Sequence, residues 1–497
     1  MPNARTLCSA LGLGLLLAVG SLSSAPQGDN PAADQVFANF TKPGSPGCAL
    51  GVFRDGKIIY EQGYGLANLE EGVAITPQTV FDIGSTSKQF TAASILLLEK
   101  QGKLSVRDDI HKLIPEIPDY GTPITILNLL NHTSGLRDYL TLMSLAGINL
   151  DGVTTDDDAL ALIARQKKLN FAPGSEYLYS NSGYFLLSVI VKRASGKSLR
   201  EFAQENIFSP LGMTRTQYRN DHTALISNRA LAYDAKDGGG YALDISYFEQ
   251  TGDGAVHTTV EDLQRWDENF YSARIGGKAF LAELQEKGQL SSGKTIDYAK
   301  GLGVYEYRGL PAVSHAGSWG GYRAQLLRFP TQHFSVACLC NTASADTSAL
   351  ARSVAESYLA GKMKPQEPAK APAQPSAAES ASQPAAGLPT LTGAQLTAYA
   401  GDYWSEELRV TYRIGVHEGG LVLKDVISSD LISRAVGISH NEMRSIGTDD
   451  FQLDRPRRKF HFTRDPNQVV TGFVLDAGRT QGMFFSRSGS RPAGPEK

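Results

Sequence analysis

The sequence predicts a mixed α/β body followed by a smaller all-β unit. Three observations carry this. Strand-like runs lie near both ends of the first 360 residues with helical patterns between them, residues 364–389 hold Pro, Ala, Gln, Ser and Glu with almost nothing to bury, and the remainder alternates apolar and polar residues. The chain has 497 residues, with 48 Lys plus Arg against 51 Asp plus Glu. Hydrophobic residues at 41% and charged residues at 20% exclude a largely disordered chain. The absence of a basic excess argues against a nucleic-acid partner.

The N-terminus reads as a signal peptide over residues 1–25. Arg5 is the single charge ahead of an apolar run from Leu11 to Val19, and small residues follow from Gly20 to Ala25. The run is shorter than the ~20 residues a bilayer requires, and no other stretch is long enough, so no membrane span is expected after its removal. A secreted or periplasmic location follows as an expectation. Export permits disulfides. Cys338 and Cys340 share one face of a strand-like run and could meet Cys48, or all three could be buried thiols.

Residues 48–63 read as a hairpin turning at Asp55-Gly56. A helix is predicted from Thr86 to about Gln101, stopped by Gly102. A short helix follows over Ile126–Asn131, and Thr155 with Asp156, Asp157 and Asp158 marks the start of another. Residues 183–192 suggest a further helix behind a capping Ser180-Asn181, and 323–329 and 334–340 are two strands joined at Pro330-Thr331. These strands imply a mixed sheet closed by the first and last strands of the body. Residues 30–360 thus form one domain and 364–389 a disordered linker. In the tail, 392–497, the runs at 408–414, 421–423, 459–462, 469–475 and 483–485 suggest a small antiparallel sandwich or barrel. The basic cluster at 455–459 reads as a solvated turn, with partner binding as the alternative.

Three segments could carry chemistry. Ser85 and Lys88, in GSTSK, are three apart at the start of the first strong helix, so the lysine stacks over the serine and, if desolvated, can accept its proton. A second S-x-x-K, Ser291–Lys294, lies in a polar stretch that reads as an exposed turn. Tyr179 and Asn181, in YSN, pair a phenol able to move a proton with an amide able to grip a substrate. His315, Gly317 and Ser318, in HAGS, offer a small-residue strand edge whose Ser318 amide could face a carbonyl oxygen. No metal or other cofactor is expected: no H-E-x-x-H or paired Cys/His cluster occurs. No G-x-S-x-G occurs either, which disfavours an α/β-hydrolase.

The order and spacing of S-x-x-K, Y-x-N and H-x-G resembles that of the penicillin-recognising serine hydrolases: class C β-lactamases, D-alanyl-D-alanine carboxypeptidases, D-aminopeptidases and related esterases. ITILNLLNHTSGL, FAPGSEYLYSNSGY, IFSPLGMTRT and TTVEDLQRW strengthen the likeness, which covers about residues 30–360. The resemblance implies a β-lactamase/transpeptidase-like fold, a mixed, mainly antiparallel sheet flanked by helices plus a helical subdomain, and a lipocalin-like barrel for the tail. It implies Ser85 as nucleophile, Lys88 and Tyr179 sharing proton transfer, and Asn181 orienting the substrate amide. The Ser85 and Ser318 N–H groups would form an oxyanion hole, with His315 and Gly317 lining the substrate.

His315 and Ala316 stand where many relatives carry Lys and Thr that hold a carboxylate, which favours a peptidase or esterase over an efficient β-lactamase. The expected substrate is a D-amino-acid-containing peptide or small ester, with cell-wall peptidoglycan as a possible source. A class C-like β-lactamase, revealed by turnover of a chromogenic cephalosporin, and a non-catalytic penicillin- or peptidoglycan-binding protein, revealed by absence of a covalent adduct, are the alternatives. The tail could cover the cleft or bind other surfaces.

Overall fold

The computed structural model describes residues 31–365, 391–428, 442–454 and 456–488. The predicted signal peptide and nearly all of the predicted linker lie outside the described residues. The body is organised by a six-stranded sheet: β1 (Cys48–Arg54), β2 (Lys57–Tyr64), β3 (Gly303–Tyr307), β4 (Leu310–Trp319), β5 (Tyr322–Phe329) and β6 (Phe334–Cys340), in the order β3-β4-β5-β6-β1-β2. The first and last strands of the body, β1 and β6, pair with each other inside the sheet as expected, but every pairing is antiparallel, so this sheet is not mixed. The β1–β2 turn places Asp55 and Gly56 at φ 50° and 72°, the paired positive values a two-residue hairpin turn needs.

Alternation along β1 feeds two cores. Ala49 and Phe53 point into the larger core shared with helices α1 (Lys88–Lys100), α2 (Asn181–Ser195) and α3 (Val260–Ser272); Cys48, Leu50 and Val52 point to the other face, under α4 (Thr347–Leu359). On that second face Cys48 pairs with Cys340 in register and is disulfide-bonded to it, while Cys338 stays a buried free thiol.

The predicted helices form with small shifts in their starts. Thr125 and Thr155 each close a capping box, with Asn128 and Asp158 respectively, ahead of helices Ile126–Leu130 and Asp156–Ala164. Helix α2 begins two residues earlier than predicted: Asn181 is its first residue, and Ser180 makes no side-chain cap. The segment predicted as helix from Thr86 begins instead as a 3₁₀ turn, Gly84–Ser87, before α1 takes over at Lys88.

The tail is a closed eight-stranded barrel: β7 (Gly401–Ser405), β8 (Val410–His417), β9 (Gly420–Ser428), β10 (Glu442–Ser445), β11 (Asp450–Asp454), β12 (Arg457–Arg464), β13 (Val470–Ala477) and β14 (Thr480–Arg487). Its interior is filled by aromatic rings, with Phe473 stacked on Phe485 at 4.6 Å and edge-on to Phe460 and Phe462. The solvated turn expected at 455–459 is confined to its start: Pro456 is an exposed turn residue and Arg457 is exposed, but Arg458 is buried and Lys459 half-buried on β12. Arg455 lies outside the described residues.

The barrel is seated on the body. Arg137, wholly buried, donates to Glu407 Oε2 at 2.7 Å and to the carbonyls of Gln481 and Gly482 at 3.0 and 2.9 Å. Asn170 bonds both the Arg479 carbonyl and the Gln481 N–H at 2.9 Å. Tyr412 donates to the Leu145 carbonyl. The two-residue turn between β13 and β14, with Gly478 at φ 52°, is thereby pressed against the body with Arg479 at its tip.

Candidate active site

The 3₁₀ turn sets the first contact. Residues three apart eclipse in a 3₁₀ turn, so the Lys88 side chain rises directly over Ser85 and its Nζ donates to Ser85 Oγ at 3.0 Å. The ammonium is fully buried and held by two further acceptors, Asn181 Oδ1 at 3.0 Å and the Asp253 carbonyl at 2.5 Å. Burial pushes the Lys88 pKa well below its ordinary value, against the opposing pull of the Asp253 and Asp138 carboxylates. The second S-x-x-K, Ser291–Lys294, is an exposed turn with no such surroundings.

Tyr179 packs its ring 4.9 Å from Lys88 Nζ. Its hydroxyl is buried and makes no hydrogen bond among the described residues. Burial drives its pKa far up, and the neighbouring Ser85 hydroxyl and Arg479 guanidinium draw it partly back. Asn181 is fixed from behind, where its N–H donates to Asp138 Oδ2 at 2.7 Å. Asp138 also caps helix Tyr139–Leu145, and Tyr139 donates to Asp253 at 3.0 Å, which ties the acids around Lys88 into one frame.

The outer edge of β4 closes the other wall. β3 pairs only as far as Ser314, leaving residues 315–319 unpaired by it. Two glycines allow this edge to meet the turn that carries Ser85: a Cβ on Gly317 would fall 1.9 Å from the Ile83 carbonyl oxygen, and one on Gly84 would fall 2.7 Å from the Ser318 nitrogen. Thr86 Oγ1 adds a bond to the His315 carbonyl at 3.2 Å. Ser85, Tyr179, Asn181, His315, Gly317 and Ser318 all line one cavity of about 1010 Å³, with Lys88 buried beneath it.

His315 carries no charge here. Burial first, and then the Lys88 ammonium, pushes its pKa down to about 3. The Ala316 carbonyl, 2.6 Å from Nδ1, can only accept, so Nδ1 carries the proton and Nε2 accepts from the Tyr298 hydroxyl at 3.2 Å. His315 therefore carries no charge over the physiological range and does not replace the lysine that many relatives carry at this position.

Sequence reasoning missed Asp253, His132, Tyr298 and Arg479. His132 packs tilted against Tyr179 with ring centroids 4.1 Å apart, accepts the Ser180 N–H at 3.1 Å, and is held neutral chiefly by burial. Its place in NHTSG, within a stretch already singled out, was the available signal. Arg479 comes from the barrel and lies 4.7 Å over the Tyr179 ring and 3.9 Å from Asp138 Oδ2. Nothing local in its sequence marks it.

A serine against a buried lysine, a phenol and an amide beside it, and a glycine-opened strand edge make an arrangement suited to a serine hydrolase. The Beta-lactamase family model matches residues 33–359, and the chain belongs to that family. It is 32% identical over 293 residues to penicillin-binding protein 4* of Bacillus subtilis, covering 55% of this chain and 63% of that protein. It is 28% identical over 388 residues to a D-aminopeptidase of Gluconobacter oxydans, covering 78% of this chain and 68% of that protein. The chain thus spans less than two thirds of the Bacillus protein. The structure of a penicillin-binding protein homologue from Pyrococcus abyssi shares the fold, with TM-score 0.58 and 23% identity over 88% of this chain and 95% of that one. Among the described residues no helix is long and apolar enough to cross a membrane.

Proposed function

We propose that the protein hydrolyses amide bonds in D-amino-acid-containing peptides through an acyl-enzyme on Ser85, with small esters as secondary substrates. The observation that carries this is the buried Lys88 amine, 3.0 Å from Ser85 Oγ and also held by Asn181 and the Asp253 carbonyl. In its neutral form the amine takes the serine proton as Oγ bonds to the substrate carbonyl carbon. The Ser85 and Ser318 N–H groups receive the oxyanion, each worth about 10²–10³ in rate. The C–N bond then breaks, and the leaving amine receives its proton from Lys88 or through the otherwise unbonded Tyr179 hydroxyl. Water repeats the sequence in reverse and frees Ser85.

The uncharged His315 supports this over a β-lactamase, because the strand edge offers no fixed cation for a β-lactam carboxylate. D-aminopeptidase relatives support the substrate class. The Cys48–Cys340 disulfide supports a secreted or periplasmic location, where peptidoglycan peptides are within reach. Arg479 over Tyr179 supports a tail that covers the cleft and restricts what enters.

Intact-mass detection of acylation across a panel of penicillins, D-peptides and esters tests the reading. A stable or transient adduct mapped to Ser85, lost in Ser85→Ala together with turnover of a D-alanyl amide, is expected. Full hydrolysis by Ser85→Ala would refute it.

A further inference from the structure

We propose that a second cavity, between the barrel and helix Tyr139–Leu145, is a subsite for a carboxylate on the acyl arm of the substrate. This deepens the D-peptide hydrolase reading and rests on it for the direction in which the substrate lies. The cavity measures about 700 Å³ and shares Leu140, Asn181 and Arg479 with the cavity over Ser85. An acyl arm that passes Asn181 enters it. Leu145 and Leu150 line its body side, and the barrel contributes Arg457, Arg458 and Lys459 from β12 besides Arg479.

Four cations therefore face two carboxylates, Asp138 and Asp476, and both acids are engaged. Asp138 caps Thr141 and accepts the Asn181 N–H; Asp476 accepts the Gly482 N–H at 2.8 Å and lies 3.5 Å from His461 Nε2.

Arg458 is the decisive group. It is 8% exposed, and its guanidinium makes only long bonds, 3.4–3.5 Å, to the Ser144 carbonyl and hydroxyl and the Tyr412 hydroxyl. No carboxylate lies within 4 Å of it among the described residues. Arg137, in the same interface, shows the ordinary solution: a buried guanidinium matched by Glu407 at 2.7 Å. An arginine cannot shed its charge, and burying one without a counter-ion is costly. Lys459, beside it, makes no ion pair among the described residues either. A planar fork left unmatched against an open cavity fits a bidentate carboxylate from the ligand. The residues that build this subsite are the basic run that the sequence left without a role.

The test uses the full chain and two matched p-nitroanilides, N-acetyl-D-alanyl and N-succinyl-D-alanyl. Wild type is expected to prefer the succinyl substrate by about tenfold in kcat/KM at low salt, the scale of one charge-assisted hydrogen bond. Arg458→Gln should bring the ratio near one, and Lys459→Gln, at a half-buried site that tolerates change, should reduce it about threefold. A wild-type ratio near one, or a ratio unmoved by both variants while both anilides are cleaved, overturns the subsite and leaves the hydrolase reading standing.

Calorimetry on Ser85→Ala separates the other cases. If neither anilide is cleaved but N-succinyl-D-alanine binds about tenfold tighter than N-acetyl-D-alanine, the subsite stands and the hydrolase reading falls. If neither cleavage nor that difference is seen, both fall.

Discussion

Glu407→Gln isolates the bond that seats the barrel. Glu407 accepts from Arg137 Nη1 and from the Lys167 N–H, both at 2.7 Å, and lies in the body–barrel contact. The glutamine carbonyl can still accept both, so shape and hydrogen bonds survive while the charge is lost. Arg137 then remains wholly buried with only carbonyl partners, Gln166 at 3.1 Å included. Removing one partner of such a pair costs about 3–5 kcal/mol. The retained acceptors put this case at the low end, about 3 kcal/mol, or about a hundredfold in the docked-to-undocked ratio. The readout is amide hydrogen exchange by mass spectrometry on peptides covering the Asp138 and Gln481 N–H groups. Both close cross-interface bonds, to the Arg479 carbonyl and to Asn170 Oδ1. Exchange at both should accelerate by about a hundredfold, while the barrel core, at Phe473 and Phe485, stays protected. Acceleration below threefold, or equal acceleration in the core, would show that Arg137–Glu407 does not govern docking.

Three further outcomes follow from the site and its scaffold. Gly317→Ala drives a methyl onto the Ile83 carbonyl oxygen, a backbone atom that cannot step aside, so the β4 edge must retreat from Ser85. Steady-state kinetics should show kcat/KM falling by about 10²-fold or more through loss of the proposed Ser318 oxyanion donor, with the barrel still docked. The Lys88 pKa is lowered by burial, and in the proposed mechanism it is the neutral amine that accepts the proton. Acylation should therefore rise with pH through an apparent pKa well below the reference ~10.4 of a free lysine; a limb at that reference value would exclude Lys88 as the base. The Cys48–Cys340 bond closes 292 residues between the central strands, so replacing both by Ala should cost about 2–5 kcal/mol in chemical denaturation.

What could be read from the chain follows the range of the interaction that fixes each feature. Asp55-Gly56 and Thr155 with Asp158 specify their turn and helix start through neighbours within four residues, and both appear where predicted. Ser85 and Lys88 were legible for the same reason, although the turn joining them is 3₁₀ and not α. Ser180 misled because a helix start can be satisfied from elsewhere: Asp138, 43 residues back, accepts the Asn181 N–H that begins α2. The neutrality of His315 was beyond local reading, since it depends on burial and on the charge of Lys88, while its tautomer is fixed by Ala316 and Tyr298. Arg479 was further still, because only the docking of the finished barrel brings it to Tyr179.

The charge balance of the cleft joins these observations. On the β4 edge, His315 is neutral, and the lysine beside Ser85 is driven toward neutrality by burial. Arg219, Arg323 and Arg352 of the body line the same cavity, and Arg479 adds a cation from the barrel directly against Tyr179. Its charge adds to burial in lowering the Lys88 pKa and holds down those of His132 and Tyr179. The barrel is therefore electrostatically part of the catalytic centre, and releasing it has a definite sign. With Arg479 withdrawn, the protonated forms of Lys88 and Tyr179 become easier to hold, and the apparent pKa of acylation moves upward. In Glu407→Gln the ascending limb of kcat/KM should shift to higher pH as the docked population falls. A profile that loses amplitude without shifting would mean that the barrel shapes the cleft and leaves its proton chemistry alone.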